Sequence, residues 1–394
     1  MALSLSHLLR PLALVLALGL AAGCATRERL PAVPPAETRS ATFLELTDAR
    51  FYLWGDPTPL ATAWFAAERR RNALGLSGGT MHLLAISGGG DNGAFGSGVL
   101  YGWTERGTRP EFRLVTGVST GSLIAPFAFL GSRYDEQLKA VYTTVMRDNI
   151  AVLLPIASIL TGDSVASSEP LARLIATYVT PEMIAEIASE YRKGRMLLIG
   201  TTDLDLAQPV AWNIGAIAAS SHPGRVQAIR DILLASASIP GAFPPVMMDV
   251  VAGGRRRQEL HVDGGATNQV FLYPASVPRR EAPAHLRSGR VVAWIIRNGR
   301  TQEAPSETPR GLVQITARSI STMIAANGMG DIYRMYLLTK RDNIDFNLAY
   351  ISSRFTVPYD KPFDPAYMNA LFEFGRNESR NGAAWLKRPP GYAP

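Results

Sequence analysis

MHLLAISGGGDNGAFGSGVLYGW, residues 81–103, changes character twice. Met81 to Ile86 is a short apolar run of the kind a buried strand uses. Four glycines crowd the next positions, Gly88, Gly89, Gly90 and Gly93. From Ala94 onward the residues suit a helix. Strand, glycine turn and helix in this order aim backbone N–H groups outward at a helix N-terminus, where negative charge is favoured. Two anions fit such a turn: a phosphate, or the oxyanion formed when an ester carbonyl is attacked.

The phosphate reading rests on Gly88-x-Gly90-x-x-Gly93, a dinucleotide-type spacing. That site also needs an acidic residue at the end of the next strand, about 20 residues on. The next apolar run, Phe112 to Val115, leads instead into Thr116-Gly117-Val118-Ser119-Thr120-Gly121, with no acid. Gly117-x-Ser119-x-Gly121 lies between a predicted strand (112–116) and an apolar predicted helix (122–130). This is the setting of a nucleophile elbow, in which Ser119 projects above a sheet at a helix N-terminus. Gly117 and Gly121 keep neighbouring side chains out of the sharp turn. A helix N-cap serine in a glycine turn is the plainer alternative.

A serine nucleophile needs a base. Of the histidines downstream, His222 sits in a Ser-Ser-His-Pro-Gly turn and His285 in a Pro- and Arg-rich loop. His261 and Asp263 are two apart on a predicted strand and share one face. Asp263 ends that strand, and Gly264-Gly265 turns the chain away beside it. A carboxylate serves as general base within hydrogen-bond reach of the hydroxyl, helped by partial burial. Asp203 and Asp205, after a predicted strand at 195–203, are the rival bases.

Four pieces in one order now resemble the patatin-like phospholipases. They are the glycine turn at 88–93, Gly117 to Gly121, the stretch Ala235-Ser236-Ala237-Ser238-Ile239-Pro240-Gly241-Ala242-Phe243-Pro244-Pro245, and Asp263-Gly264-Gly265. The resemblance implies a Ser119–Asp263 dyad, with Ser119 the nucleophile and Asp263 the proton acceptor. It implies an oxyanion hole from the backbone of Gly88, Gly89 and Gly90, supported by Asn92, Gly93, Gly117, Gly121, Gly264 and Gly265. It further implies hydrolysis of lipid acyl esters without metal or cofactor. The implied fold is a three-layer α/β/α sandwich on a mainly parallel sheet, a single catalytic domain with a C-terminal helical extension. One departure is Asn92, where many members carry Arg or Lys. Asp91 reads as a cap for the following helix.

The N-terminus gives an address. Arg10 and the apolar run Leu12 to Leu20 form a secretory-type signal over 1–23, too short to span a bilayer. Ala21-Ala22-Gly23 leads to the single cysteine, Cys24, in an arrangement that resembles a bacterial lipobox. The resemblance implies lipidation at Cys24, which would supply the several acyl chains that stable anchoring needs; an ordinary signal peptide cut after these small residues, with Cys24 incidental, is the other reading. Ala25 follows the cysteine in place of an inner-membrane retention signal, which favours the outer membrane of a bacterial envelope. Residues 24–41 read as a Pro-rich tether, 42–80 as a helical lead-in, 81–276 as the catalytic core, and 277–394 as a strand and helices that complete the domain.

Composition limits the alternatives. Hydrophobic residues at 47% and charged ones at 19% argue against a disordered chain. The net charge of +7 lacks a dense basic stripe, which argues against nucleic acid as a partner and favours weak attraction to an anionic membrane surface; membrane lipids as substrate and anchor are what the resemblances imply. One cysteine and five histidines leave little material for a metal site. The methionines of the predicted helix at 309–340 read as core filler. The expected activity is therefore an envelope-anchored serine acyl hydrolase. A lipid acyltransferase on the same dyad and a non-catalytic lipid-binding lipoprotein are the other two readings, and nucleotide binding is a more distant one.

Overall fold

The computed structural model describes residues 28–76, 78–155, 158–159, 162–273, 289–301 and 307–392. The signal segment, Cys24 and His285 lie outside the described residues. Among the described residues eleven strands and ten α-helices follow in the order β1 (Arg50–Tyr52), α1 (Thr58–Ala73), β2 (Met81–Ile86), α2 (Gly93–Glu105), β3 (Leu114–Val118), α3 (Thr120–Leu130) and α4 (Asp135–Thr143). The chain continues with β4 (Val152–Leu153), β5 (Ala166–Ser167), α5 (Glu169–Tyr178), α6 (Pro181–Arg192), β6 (Met196–Asp203), β7 (Gln208–Asn213), α7 (Ile214–Ala219) and α8 (Arg225–Ser236). It closes with β8 (Val246–Ala252), β9 (Arg255–Asp263), β10 (Val291–Arg297), α9 (Leu312–Arg341), β11 (Asp345–Tyr350) and α10 (Pro365–Arg380).

Nine of the strands form one sheet in the order β1-β7-β6-β3-β2-β10-β11, with β9 also on β6 and β8 on β9. The five strands from β6 to β11 along this path run parallel. Their residues are apolar on both faces. Leu84 and Ile86 of β2 join one buried cluster with Val115, Leu197 and Ile199, while Leu83 and Ala85 join a second with Leu114, Met196 and Leu198. Alternate side chains feeding two cores are what a sheet covered on both sides requires. α2, α3, α8 and α10 pack on the first face, α1 and α9 on the second. This is the mixed α/β architecture with a mainly parallel centre that the sequence led us to expect.

The antiparallel wing was not visible in the strand–helix alternation. β7, β1, β9 and β8 all pair antiparallel. β1 also places a strand inside the segment read as a helical lead-in. One consequence of the wing decides the site. β3 follows β6 only as far as Val118, opposite Gly200. The next residue of β6, Thr201, pairs with Asp263 of β9. β9 thus enters antiparallel against the edge that β3 has just left, and the residue after Val118 arrives beside the last residue of β9. Among the described residues no helix is long and apolar enough to cross a membrane.

Candidate active site

Ser119 occupies the single position between β3 and α3. Its backbone is left-handed, φ 54° and ψ −128°, a conformation that L-residues hold only where surrounding contacts impose it. The contacts are present. The Ser119 N–H donates to Ser236 Oγ at 3.0 Å, Ser236 Oγ donates to the Gly200 carbonyl at 2.7 Å, and Ser122 Oγ donates to the Ser119 carbonyl at 2.6 Å. Gly121 is required by close approach: a Cβ there would stand 2.3 Å from the Ile86 carbonyl at the end of β2. Gly117 faces the Gly121 carbonyl at similar range. We expect Gly121→Ala to push α3 away from β2, lowering stability by roughly 2–3 kcal/mol or more, with thermal melting as the measurement. A variant that melts with the wild type would contradict this packing.

Asp263 ends β9 and caps the short turn Gly264–Ala266, its Oδ1 accepting the Gly265 N–H at 2.7 Å. Its backbone N–H donates to the Ser238 carbonyl at 2.8 Å. The Ser119 side chain lies beside its carboxylate in the cavity lining. Burial pushes the carboxyl up from 3.8 to about 6, against the lowering effects of the Ser119 side chain and the Gly265 N–H. Gly264 lies against the Gly200 carbonyl, and Gly265 against the Gln269 carboxamide. The stretch 235–245 therefore does more than shape a loop. Ser236 fixes the backbone of Ser119, and Ser238 fixes that of Asp263. We expect Ser236→Ala to leave two buried backbone groups unpaired, costing about 1–3 kcal/mol. Fluorophosphonate labelling of that variant should slow about tenfold or more with the fold retained; unchanged labelling would remove Ser236 from the site.

The glycine turn departs from expectation at one residue. The Gly88 N–H donates to the Gln269 carbonyl at 3.1 Å, so it is not available to an oxyanion. The N–H groups of Gly89 and Gly90 have no partner among the described hydrogen bonds, and both residues line a cavity with Ser119. Gly89 has φ +156°, and a Cβ there would stand 1.9 Å from the Asn298 carbonyl. Only glycine fits.

Asn298, at the end of β10, holds the turn from three sides. Its N–H donates to Ser87 Oγ, its Nδ2 to the Ser87 carbonyl, and its Oδ1 accepts the Gly96 N–H. Asn92 also lines the cavity, and its Oδ1 accepts the Tyr367 hydroxyl at 2.9 Å. Gly93 lets the start of α2 approach Thr120 and Tyr142. Asp91 is not simply a local cap. It is buried and accepts the Phe363 N–H at 2.8 Å, tying the segment before α10 to the turn.

Residues 84–276 match the family model for patatin-like phospholipase. The chain carries a patatin-like phospholipase domain. The matched residues take in the glycine turn, Ser119 and Asp263. The domain makes the chain an enzyme of the lipid-ester hydrolase class. No curated protein matches the sequence. Among solved structures the chain is similar to VipD from Legionella pneumophila, at 12% identity and a TM-score of 0.36, over 78% of this chain and 67% of that one.

The patatin-like site opens into a cavity of about 450 Å³. Ser119, Asp263 and Gly88 to Gly90 form its floor. Ile239, Pro240 and Ala242 form one wall, and Leu312, Ile320 and Ile324 of α9 form another. Gln269, Arg297 and Asn298 supply polar groups. Asn298 and Gln269 were not singled out in the sequence, and the 309–340 helix was read there only for its methionines as core filler: Met335 is buried, but Met323 is exposed. An isolated Asn or Gln has no local signal, and α9 lies outside the motif-bearing stretch. The roughly 450 Å³ space, mostly apolar with a few convergent polar groups, suits one small apolar ligand segment.

The rival bases are engaged elsewhere. Asp203 Oδ1 accepts the N–H groups of Asp205 and Leu206, and Asp205 pairs with Arg29. His261 is fully buried beneath the strand tip, with Nδ1 at 2.9 Å from Thr201 Oγ1 and Nε2 at 3.4 Å from Glu259. Asp203, Glu259 and His261 offer ligand atoms within 4.8 Å of one another. The Arg50 guanidinium already pairs with Glu259, which supplies positive charge to this cluster.

Proposed function

We propose that the chain is a lipid acyl-ester hydrolase in which Ser119 is the nucleophile and Asp263 the base. The observation that carries the reading is the juxtaposition of Ser119 and the buried Asp263 carboxylate, where β3 ends opposite Gly200 and β9 pairs at Thr201, in the cavity that Gly89 and Gly90 also line. Ser119 Oγ attacks the acyl carbonyl as its proton passes to Asp263. The carbonyl oxygen becomes an oxyanion facing the free N–H groups of Gly89 and Gly90. Collapse expels the alcohol, which takes the proton back from the Asp263 carboxyl and leaves an acyl-serine. Asp263 then accepts a proton from water, whose oxygen attacks the acyl carbon, and returns it to Ser119 as the fatty acid leaves.

A carboxyl raised to about 6 suits this work. It is ionised at neutral pH, yet is a stronger base than an ordinary aspartate. The position left without a basic side chain, Asn92, contributes a neutral amide engaged with Tyr367. Asn92 thus brings no charge to the oxyanion, which faces the Gly89 and Gly90 N–H dipoles. The proposal extends to address: removal of residues 1–23 and lipidation at Cys24 would hold the domain at a bacterial envelope, in the outer membrane, beside its lipid substrate.

The test is labelling of the chain with a fluorophosphonate, followed by fatty-acid release from a diacylglycerophospholipid. The probe needs an activated serine and an oxyanion site together. Labelling at Ser119 with release of free fatty acid is the expected result. A folded chain that takes no label ends this reading.

A further inference from the structure

The surface around the cavity mouth is apolar on two sides. On one side stand the first turns of α9, where Leu312 is 83% exposed, Met323 58% and Ile315 49%. The same turns send Leu312, Ile320 and Ile324 into the cavity wall. On the other side stands β4, with Leu153 64% and Val152 50% exposed. β4 pairs with β5, Leu153 opposite Ala166. The N–H of Val165, the residue before β5, donates to the Gly241 carbonyl at 3.0 Å, and both residues line the cavity. Exposed apolar side chains therefore stand on the same elements that wall the cavity on both sides.

We propose that these two ridges dock on the surface of a lipid aggregate, so that an acyl chain passes from lipid to cavity without crossing water. The inference rests on the hydrolase reading and names how that site meets its substrate. The occupant follows from continuity: the exposed side chains belong to the elements that wall the cavity, and a lipid-ester substrate resides in an aggregate. Each methylene that crosses water instead carries an about fourfold penalty. Charge agrees in sign with an anionic lipid face. Between residues 307 and 325, Arg310 and Arg318 outnumber the single carboxylate Glu307. Large exposed apolar ridges otherwise mark a protein interface, and a second copy of the chain is the competing occupant.

The test compares the full chain with a rim variant carrying Ile315→Ser, Met323→Ser and Leu153→Ser, none of which lines the cavity. Three readouts are taken: fluorophosphonate labelling, turnover of monomeric p-nitrophenyl butyrate, and hydrolysis of phosphatidylglycerol vesicles. We expect vesicle hydrolysis to fall about tenfold or more, with labelling and soluble-ester turnover within about twofold of wild type. An equal fall on both substrates, or no fall on vesicles, overturns the docking assignment. So does a wild-type dimer that the variant converts to monomer with vesicle hydrolysis intact. Absence of labelling in the wild type instead ends the hydrolase reading. Vesicle flotation of the two chains, which needs no turnover and in which the N-terminus is common to both, still decides docking: equal flotation overturns it.

Discussion

Ser119→Ala should abolish fluorophosphonate labelling and lower lipid-ester hydrolysis by about 10³-fold or more. The loss comes from chemistry and not from folding. The left-handed backbone at Ser119 is held by its own N–H and carbonyl, through Ser236 and Ser122, and alanine keeps both. The Ser119 side chain is one of the two groups that hold the Asp263 carboxyl down, so on its removal that group should titrate higher still. Melting within a few degrees of wild type, together with lost labelling, is the expected pair of results. Retained hydrolysis in Ser119→Ala would move the nucleophile elsewhere.

Asp263→Asn separates activity from stability. The asparagine cannot accept the serine proton, so kcat/KM should fall by about 10²–10⁴. Stability should move the other way. The folded carboxyl titrates near 6 and the unfolded one near 3.8, so burial favours the protonated form. The stability this group contributes is full below about pH 4 and is lost as pH rises through about 6. Above pH 7 the ionised Asp263 costs the fold roughly 3 kcal/mol relative to its protonated form, net of the favourable Ser119 and Gly265 interactions. Asp263→Asn should therefore melt at or above the wild-type temperature at pH 8, with less advantage at pH 4. The same titration shapes catalysis: wild-type kcat/KM should rise with pH through about 6 and level off. A rate profile flat from pH 5 to 8, or an Asn variant of full activity, would sink the assignment of Asp263 as base.

Much of the site was legible because its parts are local. Gly117 and Gly121 announce the elbow, since the turn they permit is completed within five residues and needs no distant partner. β2, α2 and the ends of β3 and α3 follow from apolar runs broken by glycine, with boundaries shifted by two residues: the strand extends to Val118 and the helix begins at Thr120. Asp263 could be picked out because Gly264 and Gly265 mark a strand end. Gly88 could not be told from Gly89 and Gly90 in this way. Its N–H is taken by Gln269, more than 180 residues away, and nothing in a run of glycines says which amide is spoken for.

The sequence by itself determined the layered α/β class, the elbow serine, the glycine turn and the aspartate, because each is set by periodicity or by residues adjacent in the chain. Only the tertiary structure decided that Ser119 and Asp263 meet. That contact depends on β9 taking the edge of β6 at Thr201 where β3 ends opposite Gly200, and on Ser236 and Ser238 tying the two backbones. It also decided the walls, since α9 reaches the cavity from a part of the chain with no motif of its own. Strand order and long-range hydrogen bonds arise from burying the whole sheet at once, and no short stretch of residues encodes them.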